Sequence, residues 1–280
     1  LVSDMQFQDI TSHLGASLHD VDLRHLTDAD FAALRSTLSQ RAVLVVRGQT
    51  MEPEDLVAFG RRFGPVEYGV REDFQLPQNP DVYVISNIVE NGIPLGNPND
   101  GFAWHTDLSF LETPTAYTFL YALETPPEGA NTEFASAAVG YDRLDPEERR
   151  RLDVVQVRHS YEMLHATRRN ARPLTDEEKR RMPDVIHPLV RTHPDTSRKA
   201  LYLGPNTSLP LGMDEAEGTA LIDRLMQHTI DPALVYSHRW EPGDLVVWDN
   251  HTVVHRATEY DRQRHRRLMH RVTVRGERPF

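Results

Sequence analysis

Two residues with metal-binding side chains stand two positions apart in the segment His105-Thr106-Asp107. In a β-strand, residues i and i+2 point to the same face, so this spacing would place an imidazole beside a carboxylate. A second imidazole would complete a site of two histidines and one carboxylate, the arrangement that holds iron(II) in non-haem oxygenases. Because the chain has 14 histidines, the pair alone is weak evidence, and a surface or hydrogen-bonded histidine is the competing interpretation.

The missing third ligand is expected far along the chain, near the end of a core strand. The segment WDNHTVVHR offers two histidines, His251 and His255, and residue type and spacing do not choose between them. Asp249 in the same segment has two equal interpretations, as a carboxylate that orients a ligand histidine or as a cap on the strand end. Trp104 and Trp248 stand next to the two histidine segments and are predicted to pack in the core.

The segments around these residues alternate between short β-branched runs and amphipathic stretches. β-Branched runs closed by turn residues predict strands, here at 42–49, 81–87, 115–123, 199–204, 244–250 and 266–274. Apolar residues at helical spacing predict helices, here from Thr27 onward and at 52–64, 145–155 and 216–230. Many strands with a few helices, without regular alternation of the two, favour a mainly β fold with flanking helices, either a β-sandwich or a jelly roll.

Two polar stretches between these predicted elements are candidate lids. The loop from 89 to 101 is rich in Asn, Gly and Pro, and its Asn91-Gly92 pair predicts a hairpin turn. Residues 160–200 are charged and contain several prolines, which predicts a long excursion from the core. We expect both stretches to be mobile in the free protein and to close over a bound substrate.

Length and charge narrow the classes of protein. A chain of 280 residues fits one large β-rich domain, and the lack of cysteine excludes disulfides and thiolate chemistry. The net charge of −11 argues against a nucleic-acid or membrane partner, and no apolar run reaches the ~18 residues of a membrane span. The first residues lack the basic segment of a signal peptide, so a cytoplasmic location is expected. Residues 255–280 nevertheless hold eight arginines and three acids, either a solvated face or a lining for an anion.

Several segments resemble a known enzyme family. WHTD at 104–107 and WDNHTVVHRA at 248–257 are similar to motifs of the taurine dioxygenase and 2,4-dichlorophenoxyacetate dioxygenase family. VLVVRGQ, AFGRRFGPVE, GANTEF, HPLVRTHP and RHRRLMHR also resemble family segments, so the similarity extends over most of the chain. The resemblance implies a double-stranded β-helix, a cupin-like jelly roll, formed as a single catalytic domain over residues 1–280.

The family also implies a metal and a reaction. Its ligand histidine follows the tryptophan of WDN by seven residues, which implies His105, Asp107 and His255 as ligands of iron(II) and leaves His251 out. The implied activity couples oxidative decarboxylation of 2-oxoglutarate by O₂ to hydroxylation of a small organic substrate. The presence of Asp107 speaks against halogenation, which needs a vacant ligand position for the halide.

Co-substrate and substrate residues follow from the same resemblance. The distal carboxylate of 2-oxoglutarate needs a cation, preferably an arginine, whose fork matches a carboxylate. The arginine of the family's R-[LI]-M-H-R run corresponds to Arg267, and its co-substrate threonine corresponds to Thr132. Arg271 corresponds to the position that contacts an anionic substrate, so a small anionic substrate is expected. Gly101 stands where taurine enzymes carry a sulfonate-binding asparagine, so taurine itself is not expected.

Rival functions remain open at this point. A zinc-dependent hydrolase could use the same histidines and carboxylate, but it would not need Arg267 or Thr132. A non-catalytic 2-oxoglutarate sensor would show no turnover. Desaturation, cyclisation or epimerisation would begin with the same hydrogen abstraction as hydroxylation. The sequence identifies neither the substrate nor the oligomeric state, and a homo-oligomer is compatible with it.

Overall fold

The chain folds into sheets flanked by helices. The structure, a computed structural model, describes residues 5–67, 73–98, 101–167, 172–204 and 207–280. The strands within these residues are β1 Phe7–Asp9, β2 Ala16–Leu18, β3 Val43–Val46, β4 Val66–Glu67, β5 Gln75–Leu76, β6 Asn79–Ser86, β7 Val89–Glu90, β8 Ile93–Pro94, β9 Thr115–Glu124, β10 Thr132–Ser136, β11 Gln156–His159, β12 Val185–Pro188, β13 Val190–Thr192, β14 Lys199–Leu201, β15 Ser208–Pro210, β16 Tyr236–His238, β17 Leu245–Asp249, β18 Val253–Ala257 and β19 Leu268–Arg275. The helices are α1 Asp28–Arg41, α2 Pro53–Arg61, α3 Ala137–Asp142, α4 Pro146–Leu152, α5 Tyr161–Ala166, α6 Asp176–Arg181 and α7 Glu215–Thr229, with a 3₁₀ turn at Leu23–His25.

A large sheet and a small sheet enclose the core that supports the site. The large sheet has the order β1-β2-β3-β17-β9-β19-β6-β5, with β4 beside β19, and the small sheet has the order β16-β10-β18. Phe134 and Val253 of the small sheet belong to one buried cluster with Leu120, Val246 and Met269 of the large sheet. The mainly β architecture predicted from the sequence is therefore confirmed.

The other face of the large sheet is covered by α1 and α2. Leu34 and Leu38 of α1 pack with Leu56 of α2 against sheet residues such as Phe119. Thr27 caps α1 as predicted, because its side chain accepts from Asp30 N while the Asp30 carboxylate accepts from Thr27 N. None of the helices in the described part of the chain is long and apolar enough to cross a membrane.

Most predicted elements match strands or helices within a few residues, and the Asn91-Gly92 turn joins β7 to β8. The stretch 160–200 is more varied than the sequence suggested. Helices α5 and α6 have no buried residues, whereas residues 185–201 form β12, β13 and β14 and bury Leu189 and Leu201. Residues 168–171 of this stretch and residues 99–100 of the other candidate lid lie outside the described residues.

Candidate active site

The two predicted histidine ligands face each other across a backbone pair. His105 N donates to His255 O at 3.0 Å, and His255 N donates to His105 O at 2.9 Å. Directly opposite residues of an antiparallel pair project to the same face, and the two imidazole centroids lie 4.3 Å apart. The segment around His105 therefore extends the small sheet beyond β18, and this pairing brings together residues 150 positions apart in sequence.

Asp107 lies beside both rings. Its Oδ1 is 3.6 Å from His105 Nε2 and 3.6 Å from His255 Nε2. Its Oδ2 accepts from Thr118 Oγ1 at 2.7 Å and from Trp248 Nε1 at 3.2 Å, both on the large sheet. These two donors hold Oδ2 away from the histidines, so only Oδ1 is presented to the point where the rings converge.

Asn250 fixes the backbone that carries Asp107. Its Oδ1 accepts from Asp107 N at 3.2 Å, and its Nδ2 donates to Thr118 Oγ1 at 2.9 Å. Thr106 Oγ1 donates to the Asn250 carbonyl at 3.3 Å. The turn after β17 is therefore hydrogen-bonded to the His105–Asp107 segment at two points and to Thr118 of β9 at a third, and all of these groups are buried.

The protonation states of the three groups suit a cation. The Ala103 carbonyl, 2.7 Å from His105 Nδ1, can only accept, so Nδ1 carries the proton and Nε2 offers its lone pair. Burial lowers the pKa of His255 to about 3, which keeps that ring neutral near pH 7. Burial alone would raise the pKa of Asp107, but His255, His105 and the Arg271 guanidinium outweigh it and hold the pKa below its usual range. The centre therefore combines a carboxylate with a His255 imidazole that is neutral near pH 7.

These residues fit a bound metal ion. Two ligands with bonds of about 2.1 Å can be at most about 4.2 Å apart, and the two 3.6 Å separations lie within that span. The same separations are too long for hydrogen bonds, so Asp107 Oδ1 faces two ring nitrogens without sharing a proton. A buried carboxylate in this position needs a cation. Two imidazoles and one carboxylate are the donor set of an iron(II) site that keeps open positions.

A second group of the same residue types has a different geometry. His193 Nε2 lies 2.8 Å from Asp249 Oδ2, and His251 Nδ1 lies 2.5 Å from Asp249 Oδ1. These distances are direct hydrogen bonds, which leave no room for an ion between the atoms. His251 and Asp249 therefore belong to a hydrogen-bonded cluster in which neither residue contacts His255 within the described structure. Asp249 caps its own turn by accepting from His251 N at 2.9 Å, which favours one of its two predicted roles.

One of the two predicted co-substrate residues lies on the small sheet, and the other lies at the start of β19 in the large sheet. Thr132 is buried on β10, where its Oγ1 accepts from Trp240 Nε1 at 3.0 Å, and no described residue accepts its hydroxyl proton. Arg267 is 8 % exposed and directly precedes β19. Its amide donates to Asn87 Oδ1 at 2.8 Å, and its carbonyl accepts from Ser86 Oγ at 2.8 Å.

Arg271, the predicted substrate residue, lies on β19 near the three predicted ligand side chains. Its guanidinium stands 4.4 Å from the centroid of Tyr83, whose hydroxyl accepts from Asn97 Nδ2 at 3.0 Å. The Arg271 charge lowers the pKa of both Asp107 and His255, which places it within electrostatic reach of the centre.

Comparison with known proteins assigns a family to this centre. The family model described as "Taurine catabolism dioxygenase TauD, TfdA family" matches residues 6–273. The chain belongs to the TauD/TfdA dioxygenase family. It is therefore a 2-oxoglutarate-dependent dioxygenase, an oxidoreductase whose cofactors are iron(II), 2-oxoglutarate and O₂.

Individual relatives align along nearly the whole dioxygenase. The alpha-ketoglutarate-dependent 2,4-dichlorophenoxyacetate dioxygenase of Cupriavidus pinatubonensis is 33% identical, over 92% of this chain and 94% of the relative. Pentalenolactone F synthase of Streptomyces arenae is 34% identical, over 92% and 91%. The crystal structure of AAD-2 with Mn(II) and N-oxalylglycine superposes with a TM-score of 0.84 at 32% identity, covering 99% of both chains.

Two residues of the dioxygenase centre were not predicted as site residues. Asn250 stands within the WDN segment, so this motif could have identified it as a site residue. Thr118 lies in the buried part of β9, where nothing in the sequence separates it from its neighbours. Trp248 does pack in the core as predicted, with Phe134 and His255, and it also donates to Asp107.

The contacts of Asp107 Oδ2 lead to a test on metal affinity. We expect Thr118→Val to weaken Mn(II) or iron(II) binding about 10- to 100-fold, because loss of a group that orients a ligand typically has this effect. Thr37→Val is the matched control, since the Thr37 hydroxyl only donates to Ala33 O within α1. Isothermal titration under anaerobic conditions measures both. Equal affinities in the two variants would contradict the role given to Thr118.

Proposed function

We propose that the enzyme hydroxylates a small anionic organic substrate, with iron(II) held by His105, Asp107 and His255. The observation that carries this proposal is the convergence of Asp107 Oδ1 with the two Nε2 atoms at 3.6 Å each. The His105 side chain is 32% exposed, whereas that of His255 is 7% exposed, so the centre is open on the His105 side. Substrate access from that side is consistent with Gly101, where an added Cβ would lie 3.4 Å from His105 Cε1.

The chain's own residues prepare the centre, and bound iron(II) would activate O₂, which is the oxidant. One oxygen atom of O₂ would enter succinate as 2-oxoglutarate loses CO₂, and the other would enter a substrate C–H bond. Because Thr118 and Trp248 occupy Asp107 Oδ2, Asp107 would bind the iron through Oδ1 alone, and positions would remain for the co-substrate and O₂. The buried walls around Phe134 and Trp248 limit water on the His255 side.

Arg267 and Thr132 are proposed to bind the 2-oxoglutarate carboxylate. Arginine offers two parallel donors that match a carboxylate, and the low exposure of Arg267 makes this charge pair strong. The Thr132 hydroxyl, which already accepts from Trp240, keeps its proton for a further acceptor. The AAD-2 structure supports the presence of such a site in this fold, because N-oxalylglycine mimics 2-oxoglutarate beside Mn(II).

Arg271 is proposed to bind the anionic group of the substrate. Its stacking on Tyr83, which Asn97 holds in turn, would orient the guanidinium. The substrate named for the Cupriavidus pinatubonensis relative, 2,4-dichlorophenoxyacetate, is a carboxylate and supports this choice. The overall charge of −11 argues against a nucleic-acid or membrane partner, so a small molecule is the proposed partner.

We also propose that residues 1–280 form a single jelly-roll domain. The support is that β1, β2 and β3 share the large sheet with β17 and β19, and that the small sheet packs against it. A lid is proposed for 160–184 and 89–101 rather than for all of 160–200. Tyr161 of α5 contacts Phe110, three residues after Asp107, with ring centroids 5.1 Å apart. A cytoplasmic location is proposed because a chain without cysteine suits a reducing compartment.

The proposed ligands predict which variants lose activity. We expect His105→Ala, Asp107→Ala and His255→Ala each to abolish metal binding or turnover, because each removes one of three donors. His251→Ala should abolish neither, since its nitrogens bond Asp249 and Glu277. The assay adds iron(II) and 2-oxoglutarate anaerobically, then O₂ and a panel of aryloxyacetates and other small anions, and measures succinate and product. Full activity in His255→Ala with loss in His251→Ala would overturn this ligand set. Product masses separate hydroxylation from desaturation, cyclisation or epimerisation.

The two arginines are expected to act on different ligands. Arg267→Ala should weaken 2-oxoglutarate binding by roughly 2–5 kcal/mol, because it leaves a buried carboxylate unpaired, with little change in metal affinity. Arg271→Ala should instead raise KM for the anionic substrate. Arg264→Ala is the control, since Arg264 is exposed on the segment before β19. Unchanged co-substrate titration in Arg267→Ala, with loss in Arg264→Ala, would move the site to Arg264.

The proposed lid predicts a change in hydrogen exchange. Segments 160–184 and 89–101 should exchange fast in the free enzyme and slow down when Mn(II), N-oxalylglycine and substrate bind. Residues 185–201 serve as an internal reference, because they are paired strands with buried side chains. If both segments are already as protected as residues 185–201 in the enzyme without ligands, the lid proposal is wrong. Substrate selectivity must then come from the residues at the opening of the jelly roll.

A further inference from the structure

The cluster next to the proposed metal centre contains a histidine with a carboxylate at each nitrogen. His251 Nδ1 lies 2.5 Å from Asp249 Oδ1, and His251 Nε2 lies 2.9 Å from Glu277 Oε1. Carboxylates accept and do not donate, so each nitrogen must carry a proton to form both bonds. The geometry therefore requires the imidazolium form of His251, a cation whose side chain is only 1% exposed.

The second histidine of the cluster is neutral. His193 Nδ1 accepts from the amides of Asp195 and Thr196 at 3.0 and 3.2 Å, so its proton is on Nε2. That proton goes to Asp249 Oδ2 at 2.8 Å. Asp249 is completely buried, and the charge that balances it is that of His251.

Glu277 connects the cluster to the last residues of the chain. Its Oε1 also accepts from Arg191 at 3.3 Å, and its side chain is 42% exposed. Nearby, Thr192 N donates to the Phe280 carbonyl at 2.6 Å, so the chain end lies along β13. The cluster thus joins the turn after β17, strand β13 and the segment after β19.

The turn held by this cluster also carries contacts to the metal ligands. Asn250, between Asp249 and His251, bonds both Asp107 N and Thr118 Oγ1. The same turn continues into β18, which bears His255. A shift of this turn would therefore disturb the placement of Asp107 and His255.

We propose that protonated His251 is a positioning residue, which holds the turn that sets Asp107 and His255 and whose deprotonation weakens metal binding at alkaline pH. The inference rests on the ligand set proposed above. His251 makes no contact with the metal ligands within the described residues, so it acts through Asn250 and the turn.

The direction of the pH effect follows from the charges around His251. Burial lowers its pKa, but Asp249 and Glu277 outweigh burial and raise it above the ordinary value, against Arg191. A raised pKa means that the stabilisation is present at low pH and is lost as pH rises through the folded pKa. His193 faces His251 as a neutral ring, and Tyr117 packs edge-on with ring centroids 5.8 Å apart. Burial raises the pKa of Tyr117, so it stays neutral over the same pH range.

The first measurement is the charge of His251 itself. In ¹⁵N-histidine-labelled protein without metal, we expect both His251 nitrogens to give the chemical shifts of protonated nitrogen at pH 7. Glu277→Gln, at a half-exposed position, should lower the pKa of His251 because it removes one of the two negative charges. A neutral His251 at pH 7 would overturn the inference whatever the metal does.

The second measurement is Mn(II) affinity between pH 6.5 and 9.5 under anaerobic conditions. The wild type should lose affinity where His251 deprotonates, and Glu277→Gln should lose it at lower pH. Glu112→Gln, an exposed carboxylate paired with Arg278, should follow the wild type. If Mn(II) affinity falls at the same alkaline pH in the wild type and in Glu277→Gln, the positioning role is refuted. This comparison holds even if His251→Gln does not fold.

A third comparison uses His251 directly. His251→Gln should weaken Mn(II) binding about tenfold at pH 7, as expected when a group that orients ligands is lost. His228→Gln, which removes only a bond to the Gly140 carbonyl, should not change it. If His105→Ala also binds Mn(II) normally, the proposed ligand set fails. If only His251→Gln binds normally, the ligand set stands and this inference fails.

Discussion

The hydrogen bonds that Asp107 Oδ2 accepts from Thr118 and Trp248 constrain the rest of the centre. A free carboxylate between two imidazoles could turn either oxygen, or both, toward a metal ion. With Oδ2 held by two donors of the large sheet, one oxygen remains for the metal. The small sheet carries the two histidines and the large sheet fixes the carboxylate, so the packing of one sheet on the other sets the arrangement of the proposed ligands.

That packing explains why the core is dense behind His255. Phe134 lies under the His255 ring, and Trp248 contacts both Phe134 and His255. The same tryptophan that fills the core also donates to Asp107, so packing and ligand orientation depend on one side chain. On the opposite side the wall is open, where His105 is partly exposed and Gly101 leaves space. An enzyme that must admit a substrate and exclude water needs this asymmetry.

The described residues include two groups of two histidines and one aspartate, and the geometries of these groups differ. In one, Asp107 Oδ1 stands 3.6 Å from each ring nitrogen, which leaves room for an ion. In the other, Asp249 shares protons with His193 and His251 at 2.8 and 2.5 Å. Residue type does not distinguish them. The difference is whether other groups supply the protons that the carboxylate needs, as Thr118 and Trp248 do for Asp107.

The sequence by itself determined the main elements, because β-branched runs such as 115–123 and the Thr27 cap act locally. Its motifs also resembled the family, and that resemblance implied His255 rather than His251 as a ligand. Only the tertiary structure decided that Thr118 and Asn250 support Asp107, and that 185–201 belongs to the sheets rather than to an excursion. The reason is that these features depend on contacts between residues far apart in the chain. A buried threonine in a buried strand has no local sequence signature. Its hydrogen bond to Asp107, 11 residues away, can be assigned only once the sheets pack.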